Sequence, residues 1–146
     1  MTMNLIPGVE STGSALSAEK IRLEVIAQNI ANSNTTQDAS GKVYQRKEVA
    51  FEEFIKTPDR RTPGYVDENL YQGVRVVDVY DDQTPGRMIF NPGHPHANKD
   101  GMVEMPNVDV SREMIDLISA SRAYEANLSV VKTSRRMAQQ ALAIGR

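Results

Sequence analysis

Cysteine and tryptophan are both absent from this chain, and aromatic residues of any kind are scarce. Without cysteine the chain has no disulfide bonds, no thiolate metal ligands and no cysteine nucleophile. The absence is compatible with any redox compartment. Three Phe and five Tyr make up the aromatic 5% of the sequence. Because aromatic side chains contribute much of the apolar surface of a core, we expect a thin core that contact with another molecule completes.

A strong charge of one sign and long apolar runs are missing too. The 17 basic residues nearly balance the 19 acidic residues, for a formal net charge of −2, and they are not gathered into the stripe of a nucleic-acid-binding protein. No apolar run approaches the ~18 residues of a membrane-spanning helix. Residues 1–8 lack the basic and apolar regions of a secretory signal. We therefore expect no nucleic-acid partner, no membrane span and no cleaved signal peptide.

The motifs that mark common catalytic sites are also absent, namely the P-loop, G-x-G-x-x-G, H-E-x-x-H and G-x-S-x-G. His94 and His96 lie two residues apart, a spacing that zinc can use, but no third ligand is marked by spacing. Adjacent acids such as Asp81 and Asp82 are typical of a solvated surface. The sequence predicts a protein that is not an enzyme, has no cofactor and no metal site, and carries its histidines on a structured linker.

The strongest structural signal lies at residues 107–146. Neither Gly nor Pro interrupts residues 108–144, and apolar residues recur at the three-four spacing of a heptad, which predicts a long helix. Asp109 or Ser111 is the expected N-cap. At ~1.5 Å per residue the helix would be roughly 55 Å long. The predicted apolar seam consists of Val110, Met114, Leu117, Tyr124, Leu128, Val131, Ala138 and Leu142, broken by Ser121 and Arg135.

A second amphipathic helix is predicted from Ser14 to Asn34, again without Gly or Pro. Its predicted seam is formed by Leu16, Leu23, Ala27 and Ile30, with Ile21, Val25 and Ile26 widening the apolar surface. Ser14 to Ser17 offer N-cap candidates. The asparagines near its end, Asn29, Asn32 and Asn34, either terminate the helix or pair their amides with neighbouring chains. Both interpretations are open at this point.

Between the helices, residues 36–106 hold six of the seven Pro and six of the nine Gly. Residues 43–51 predict an exposed strand, residues 51–55 a helical turn and residues 56–73 a mobile loop. Residues 73–80 predict a strand that turns at residues 81–86 and pairs with residues 87–90. Residues 91–101 are almost wholly turn-forming. A small antiparallel β-region is therefore expected.

Four stretches resemble proteins of the bacterial flagellar rod and hook family. AQNIANSNT at residues 27–35 resembles the family's N-terminal motif. NPGHP at residues 91–95, MPNVDV at residues 105–110 and ISASRAYEAN at residues 118–127 are similar to stretches of proximal-rod subunits. The resemblance covers nearly the whole chain. It departs from the family at the longer loop around residues 56–73 and at Gln28, where Asn or Ser is expected.

The resemblance implies an α+β fold in which two long terminal α-helices are paired as a coiled coil, with a small antiparallel β-region between them. It implies a rod-core helix in residues 1–35, an outer β-rich region in residues 36–106 and a second rod-core helix in residues 107–146. The implied function is that of a structural subunit of the proximal rod, which polymerises through its terminal helices and transmits torque across the periplasm. The subunit would be exported through the flagellar type III apparatus without a cleaved signal peptide.

The implied partners are copies of the chain itself, other flagellar rod proteins, the membrane (MS) ring, the flagellar type III export gate and the rod-capping factor. The alternative interpretation is a soluble helical adaptor or export chaperone that binds its partners transiently. A rod subunit would form helical polymers, whereas an adaptor would be monomeric or dimeric in solution. The expected subunit-interface residues are Leu16, Leu23, Ala27, Asn29, Ile30, Asn32, Leu117, Tyr124, Leu128, Val131, Met137 and Leu142.

The two predicted helices differ in length. If they pair antiparallel from the β-region outward, about 16 residues, or ~24 Å, at the C-terminus of the longer helix lack an intrachain partner. Apolar residues continue through that part of the sequence, among them Met137, Leu142 and Ile144. We therefore expect residues 137–146 to bind mainly between subunits.

Overall fold

The computed structural model describes residues 7–37, 41–56 and 71–144. In sequence order, one helix precedes and one helix follows the strands of two small antiparallel sheets, which confirms the predicted α+β class. The elements are helix α1 (Pro7–Ala31), strands β1 (Lys47–Lys56), β2 (Tyr71–Asp81), β3 (Met88–Phe90) and β4 (Met102–Glu104), and helix α2 (Val110–Ile144).

Helix α2 begins where the sequence predicts. Asp109 Oδ1 accepts a hydrogen bond from the backbone N–H of Ser111 at 3.0 Å, and the Asp109 carbonyl accepts one from the N–H of Glu113 at 2.9 Å. Asp109 is therefore the N-cap, because it satisfies a backbone donor that has no partner inside the helix. The helix contains 35 residues, which corresponds to roughly 52 Å.

Helix α1 begins at Pro7, so the predicted start at Ser14 is wrong. Proline is tolerated in the first turn because the N–H that it lacks has no acceptor there, and the following glycines cost only about 1 kcal/mol each. Ser14 Oγ does not cap the helix but donates to the carbonyl of Ser11 at 2.7 Å. At the other end, Asn32 and the residues up to Asn34 form a turn. The asparagine-rich stretch thus ends the helix, three residues earlier than predicted.

Strands β1 and β2 pair with each other, from Lys47 opposite Asp81 to Lys56 opposite Tyr71, with a bulge after Ala50. The predicted pairing of residues 73–80 with residues 87–90 is therefore wrong, and so is the predicted helical turn at residues 51–55. A strand of 11 residues needs a partner of similar length to satisfy its backbone groups, and β1 supplies one. The connection, residues 57–70, and with it most of the predicted mobile loop, lies outside the described residues.

The second sheet pairs β3 with β4, with Ile89 opposite Val103. The side chain of Asn98 hydrogen-bonds the backbone at the end of the turn between these strands, residues 91–101. Asn98 Oδ1 accepts hydrogen bonds from the N–H groups of Asp100 and Met102, at 3.0 Å and 2.9 Å. Gly101 has a φ of 72°, a conformation that favours glycine.

The two helices pack against each other, and the β1–β2 hairpin packs along α1. The side chain of Asn29, near the end of α1, hydrogen-bonds Glu113 in the first turn of α2. Because the helices keep contact beyond this point, they run antiparallel. The apolar core is thin, as expected. Among the described residues its buried members are Ala18, Val25, Ile26, Val103, Val108 and Ala120.

The buried face of α2 has the predicted heptad period but not all of the predicted positions. Its buried residues are Glu113, Ala120 and Ser134, which are separated by multiples of seven. Met114, a predicted seam residue, is 53% exposed. At each of these three positions the buried residue lies one place before a predicted seam position, whereas the predicted seam residues Leu117, Tyr124, Leu128 and Val131 are half-buried.

The buried face of α1 also differs from the predicted one. Ala18, Val25, Ile26 and Asn29 are buried, whereas Leu16, Leu23 and Ile30 are half-buried and Ala27 is exposed. The reason is that α1 contacts both α2 and the hairpin. Its most buried residues lie between these two contacts, and the residues on the two flanks are only partly covered. The predicted seam forms one of those flanks.

Candidate functional site

A buried polar cluster joins α1, β1 and α2. We call Asn29, Tyr44, Arg46 and Glu113 the polar junction. Asn29 is 1% exposed. Its Nδ2 donates to the Lys47 carbonyl at 2.9 Å and to Glu113 Oε2 at 3.0 Å, while its Oδ1 accepts from the Lys47 N–H and the Tyr44 hydroxyl, both at 2.9 Å. All four hydrogen-bonding positions of the amide are therefore used within the chain.

Glu113 has no exposed surface, and Arg46 neutralises it. The Arg46 Nε donates to Glu113 Oε1 at 2.6 Å, and the guanidinium also forms ion pairs with Glu48 and, at 4.0 Å, with Asp116. Burial alone would lower the pKa of Arg46, but its hydrogen bonds to the Glu113 and Glu48 carboxylates and their charges raise that pKa. A buried carboxylate is costly unless it is paired in this way, so the pair accounts for a charge at a core position.

Asn107 extends these contacts to the start of α2. Its Oδ1 accepts from the Arg46 N–H at 2.7 Å, and its Nδ2 donates to the carbonyls of Asp82 and Thr84 at 3.0 Å and 3.1 Å. The end of β2 is thereby tied to the segment that leads into α2. The sequence patterns do not mark Arg46, Asn107 or Glu113 as residues that join these elements. The available signal is that Glu113 is an acidic residue one position before Met114 of the predicted seam.

The histidines make local contacts. His94 Nδ1 accepts from the N–H of His96 at 3.1 Å, the two rings lie 5.2 Å apart, and His96 Nδ1 is 2.9 Å from Thr36 Oγ1. Within residues 7–37, 41–56 and 71–144, no group of three or more His, Cys, Asp or Glu side chains is arranged to hold a metal ion. None of the helices in these ranges is long and apolar enough to cross a membrane.

Two apolar surfaces remain exposed on α2. The first, which we call the proximal patch, consists of Met114, Ile115 and Ile118, at 53%, 68% and 55% exposure. The second follows from helix length, because α2 has 35 residues and α1 has 25. We call residues 137–144 the overhang. Its Met137, Leu142 and Ile144 are 56%, 69% and 87% exposed.

The difference of ten residues in helix length corresponds to ~15 Å of helix, and the overhang is the last eight residues of α2. The overhang is shorter than predicted because α1 begins before Ser14. Groups of exposed apolar side chains mark interaction surfaces in soluble proteins. The proximal patch and the overhang are therefore candidate surfaces for contact with another chain.

The predicted interface residues fall into three groups. Leu16, Leu23, Ile30, Asn32, Leu117, Tyr124, Leu128 and Val131 are half-buried, Ala27, Met137 and Leu142 are exposed, and Asn29 is buried. The exposed and half-buried residues retain surface for a neighbouring subunit, and their role stays a prediction. Asn29 has no free hydrogen-bonding position, so we assign it to the inside of the subunit.

Comparison with known proteins shows matches to flagellar basal-body rod models at both ends of the chain. Residues 10–37 match the family model described as Flagella basal body rod protein, and residues 99–144 match that described as Flagellar basal body rod FlgEFG protein C-terminal. These segments contain most of α1 and all of α2. The Asn29–Glu113 hydrogen bond joins them.

Similarity to individual proteins extends along nearly the full length. The flagellar basal-body rod protein FlgC of Yersinia enterocolitica is 40% identical, over 98% of this chain and 99% of the relative. FlgC of Borreliella burgdorferi is 38% identical, over 97% and 98%. FlgC of Bacillus subtilis is 33% identical, over 99% and 100%. With identities of this size over whole chains, and with both terminal helices matched, the chain belongs to the FlgC family of flagellar basal-body rod proteins.

Proposed function

We propose that this chain is a structural subunit of the proximal rod of the bacterial flagellar basal body, needed for motility. The observation that carries the proposal is the full-length similarity to FlgC proteins. Those relatives are named as rod proteins and not as enzymes, which is consistent with a structural role. The subunit works by holding its neighbours and transmitting torque.

Copies of the chain and other rod proteins polymerise through the terminal helices, which we propose pair as a coiled coil. The heptad spacing of Glu113, Ala120 and Ser134 supports this pairing. The proximal patch and the overhang supply apolar surface for the next subunits. Full burial of a large aliphatic side chain contributes on the order of 1.5–3 kcal/mol.

The remaining partners and the location follow from the family. We propose a periplasmic rod position, with the membrane (MS) ring and the type III export gate at the base and the rod-capping factor present during growth. Export would proceed without cleavage of a signal peptide. These assignments rest on the role of flagellar rod proteins, and the exposed helix surfaces are compatible with several neighbours.

Purified basal bodies test the proposal. A strain without its own copy of the gene would be complemented with the tagged chain, and basal bodies would be isolated and imaged. We expect the tagged chain to co-purify with them, and we expect cells without it to be non-motile and to lack a complete rod. A matched control carries Lys99→Ala in the exposed turn between β3 and β4 and should assemble normally.

The alternative, a soluble adaptor or export chaperone, gives a different result. The tagged chain would then remain in the soluble cell fraction as a monomer or dimer, and it would be missing from basal bodies whose rods are complete.

A further inference from the structure

The apolar contacts between α1 and α2 do not by themselves define how the helices are aligned along their axes. Ala18 and Val25 on α1 are seven residues apart, and the small buried residues Ala120 and Ser134 on α2 are separated by two heptads. A slide of one heptad, ~10 Å, would bring a similar face into contact. Something other than the apolar spacing must select one register.

The polar junction is the feature that repeats nowhere along the two helices. Arg46 and Lys47 are consecutive in the chain, and each holds one helix. Lys47 binds Asn29 of α1 through its backbone N–H and carbonyl, and Arg46 binds Glu113 of α2 through its guanidinium. Asn29 and Glu113 are also bonded to each other at 3.0 Å. Both helices are thus held by hydrogen bonds to the same short segment at the start of β1.

We propose that Asn29 and Glu113 are positioning residues that set the register of α1 against α2. A slide of one heptad in either direction would separate Asn29 from Glu113 and would move at least one of them away from β1. Buried amide and carboxylate groups would then lack partners, which is strongly unfavourable. The proposal goes beyond the proposed function, because it concerns the alignment of helices within one subunit. If the rod function holds, this alignment also fixes how far the overhang projects.

A register role can be separated from a merely stabilising one. Replacing a buried polar cluster by apolar residues of similar size is often neutral or favourable for stability, whereas specificity for one arrangement can be lost. The informative variant of the full chain is therefore Asn29→Leu, Arg46→Met, Glu113→Leu. The matched control is Glu52→Leu, Arg75→Met, which removes an ion pair of 2.7 Å whose side chains are 52% and 61% exposed.

Spin labels would report the register. Because the chain has no cysteine, Glu24→Cys on α1 and Glu125→Cys on α2, both exposed positions, give a defined label pair. A one-heptad slide changes the axial offset of the labels by ~10 Å. Pulsed electron–electron double resonance should show one distance for the wild type and for the Glu52/Arg75 control. The triple variant should show a second distance.

Three outcomes would overturn the proposal. A triple variant with wild-type helicity and the single wild-type distance shows that the register is set elsewhere. If the triple variant does not fold, Asn29→Leu alone is measured with the Arg46–Glu113 pair intact, and a single wild-type distance there removes Asn29 from the role. Loss of helix in both variants assigns the junction to stability and not to register. None of these results bears on whether the chain is a rod subunit, because the measurement does not use motility.

Discussion

Ser14 Oγ accepts a hydrogen bond from the backbone N–H of Val74 at 3.1 Å. This bond fastens the β1–β2 hairpin to α1 at the end remote from Asn29. The hairpin is therefore attached to the helix at two points, a polar junction at one end and a single serine at the other. Gly73, next to Val74, is buried at this second attachment.

We expect Gly73→Ala to weaken the second attachment. A Cβ at this position would lie 2.8 Å from Ser14 Oγ and 2.9 Å from Cε1 of the Phe54 ring. Overpacking of this kind costs about 1–3 kcal/mol, measurable as a lower urea midpoint by circular dichroism. The control is Gly93→Ala, where the nearest atom, Oδ1 of Asn91, is 3.8 Å away. Equal midpoints for the two variants would contradict the prediction.

The stability of the chain should fall at alkaline pH partly through Tyr44. Burial raises the pKa of its phenol, and the charges of Asp81 and Glu113 raise it further. The unfolded chain therefore ionises first, near pH ~10. Because the folded state then holds the extra proton, this contribution is complete below pH ~10 and is lost as the pH rises through the folded pKa.

Tyr44→Phe tests this assignment. At neutral pH the variant should be less stable by about 1 kcal/mol, because Asn29 loses the hydrogen bond from the hydroxyl. The difference from the wild type should narrow above pH ~10 in urea unfolding experiments, since the variant has no phenol to titrate at this position. Curves that stay parallel from neutral to alkaline pH would show that Tyr44 does not contribute to the pH dependence.

We expect Tyr124→Ala to impair rod assembly. Tyr124 is half-buried on the heptad face of α2, so its ring is free to gain further burial against a neighbour. Loss of such a ring costs about 3 kcal/mol or more where it is fully packed. Motility in soft agar and the rod content of purified basal bodies would measure the effect, with secretion of the variant as the control for export. Normal rods in the variant strain would place Tyr124 away from subunit contacts.

Removal of residues 137–146 should block rod assembly and leave export unchanged. The deletion takes away the overhang, where Met137, Leu142 and Ile144 are more than half exposed and α1 is too short to cover them. A matched variant, Met137→Ser, Leu142→Ser, Ile144→Ser, removes the apolar surface but keeps the helix length. Both variants should be secreted without supporting motility. Full motility of the deletion strain would show that the segment is dispensable.

The period of the terminal helices could be predicted from the sequence, but the position of their buried faces could not. Heptad spacing depends on local apolar residues, which the chain displays plainly. The buried face depends on what surrounds a helix. Helix α1 is enclosed by both α2 and the hairpin, which is why Ala18 and Asn29 are more buried than Leu16 and Leu23.

Strand pairing and the polar junction escaped prediction for a related reason. Local turn residues favoured a hairpin across residues 81–86, whereas the partner of β2 is the longer strand β1, which precedes it. An acidic residue in the first turn is favourable in any helix, so Glu113 does not stand out in the sequence, and only its contact with Arg46, 67 positions away, accounts for its burial. Contacts between distant residues leave little trace in local patterns.

The thin core also limits the free energy of unfolding of a single subunit. Few buried apolar side chains hold α1 and α2 together. Folded domains are separated from their unfolded chains by only about 5–15 kcal/mol, and a core as small as this one favours the lower end. A single subunit therefore unfolds at little cost in free energy, and neighbours that bind its folded form raise its stability.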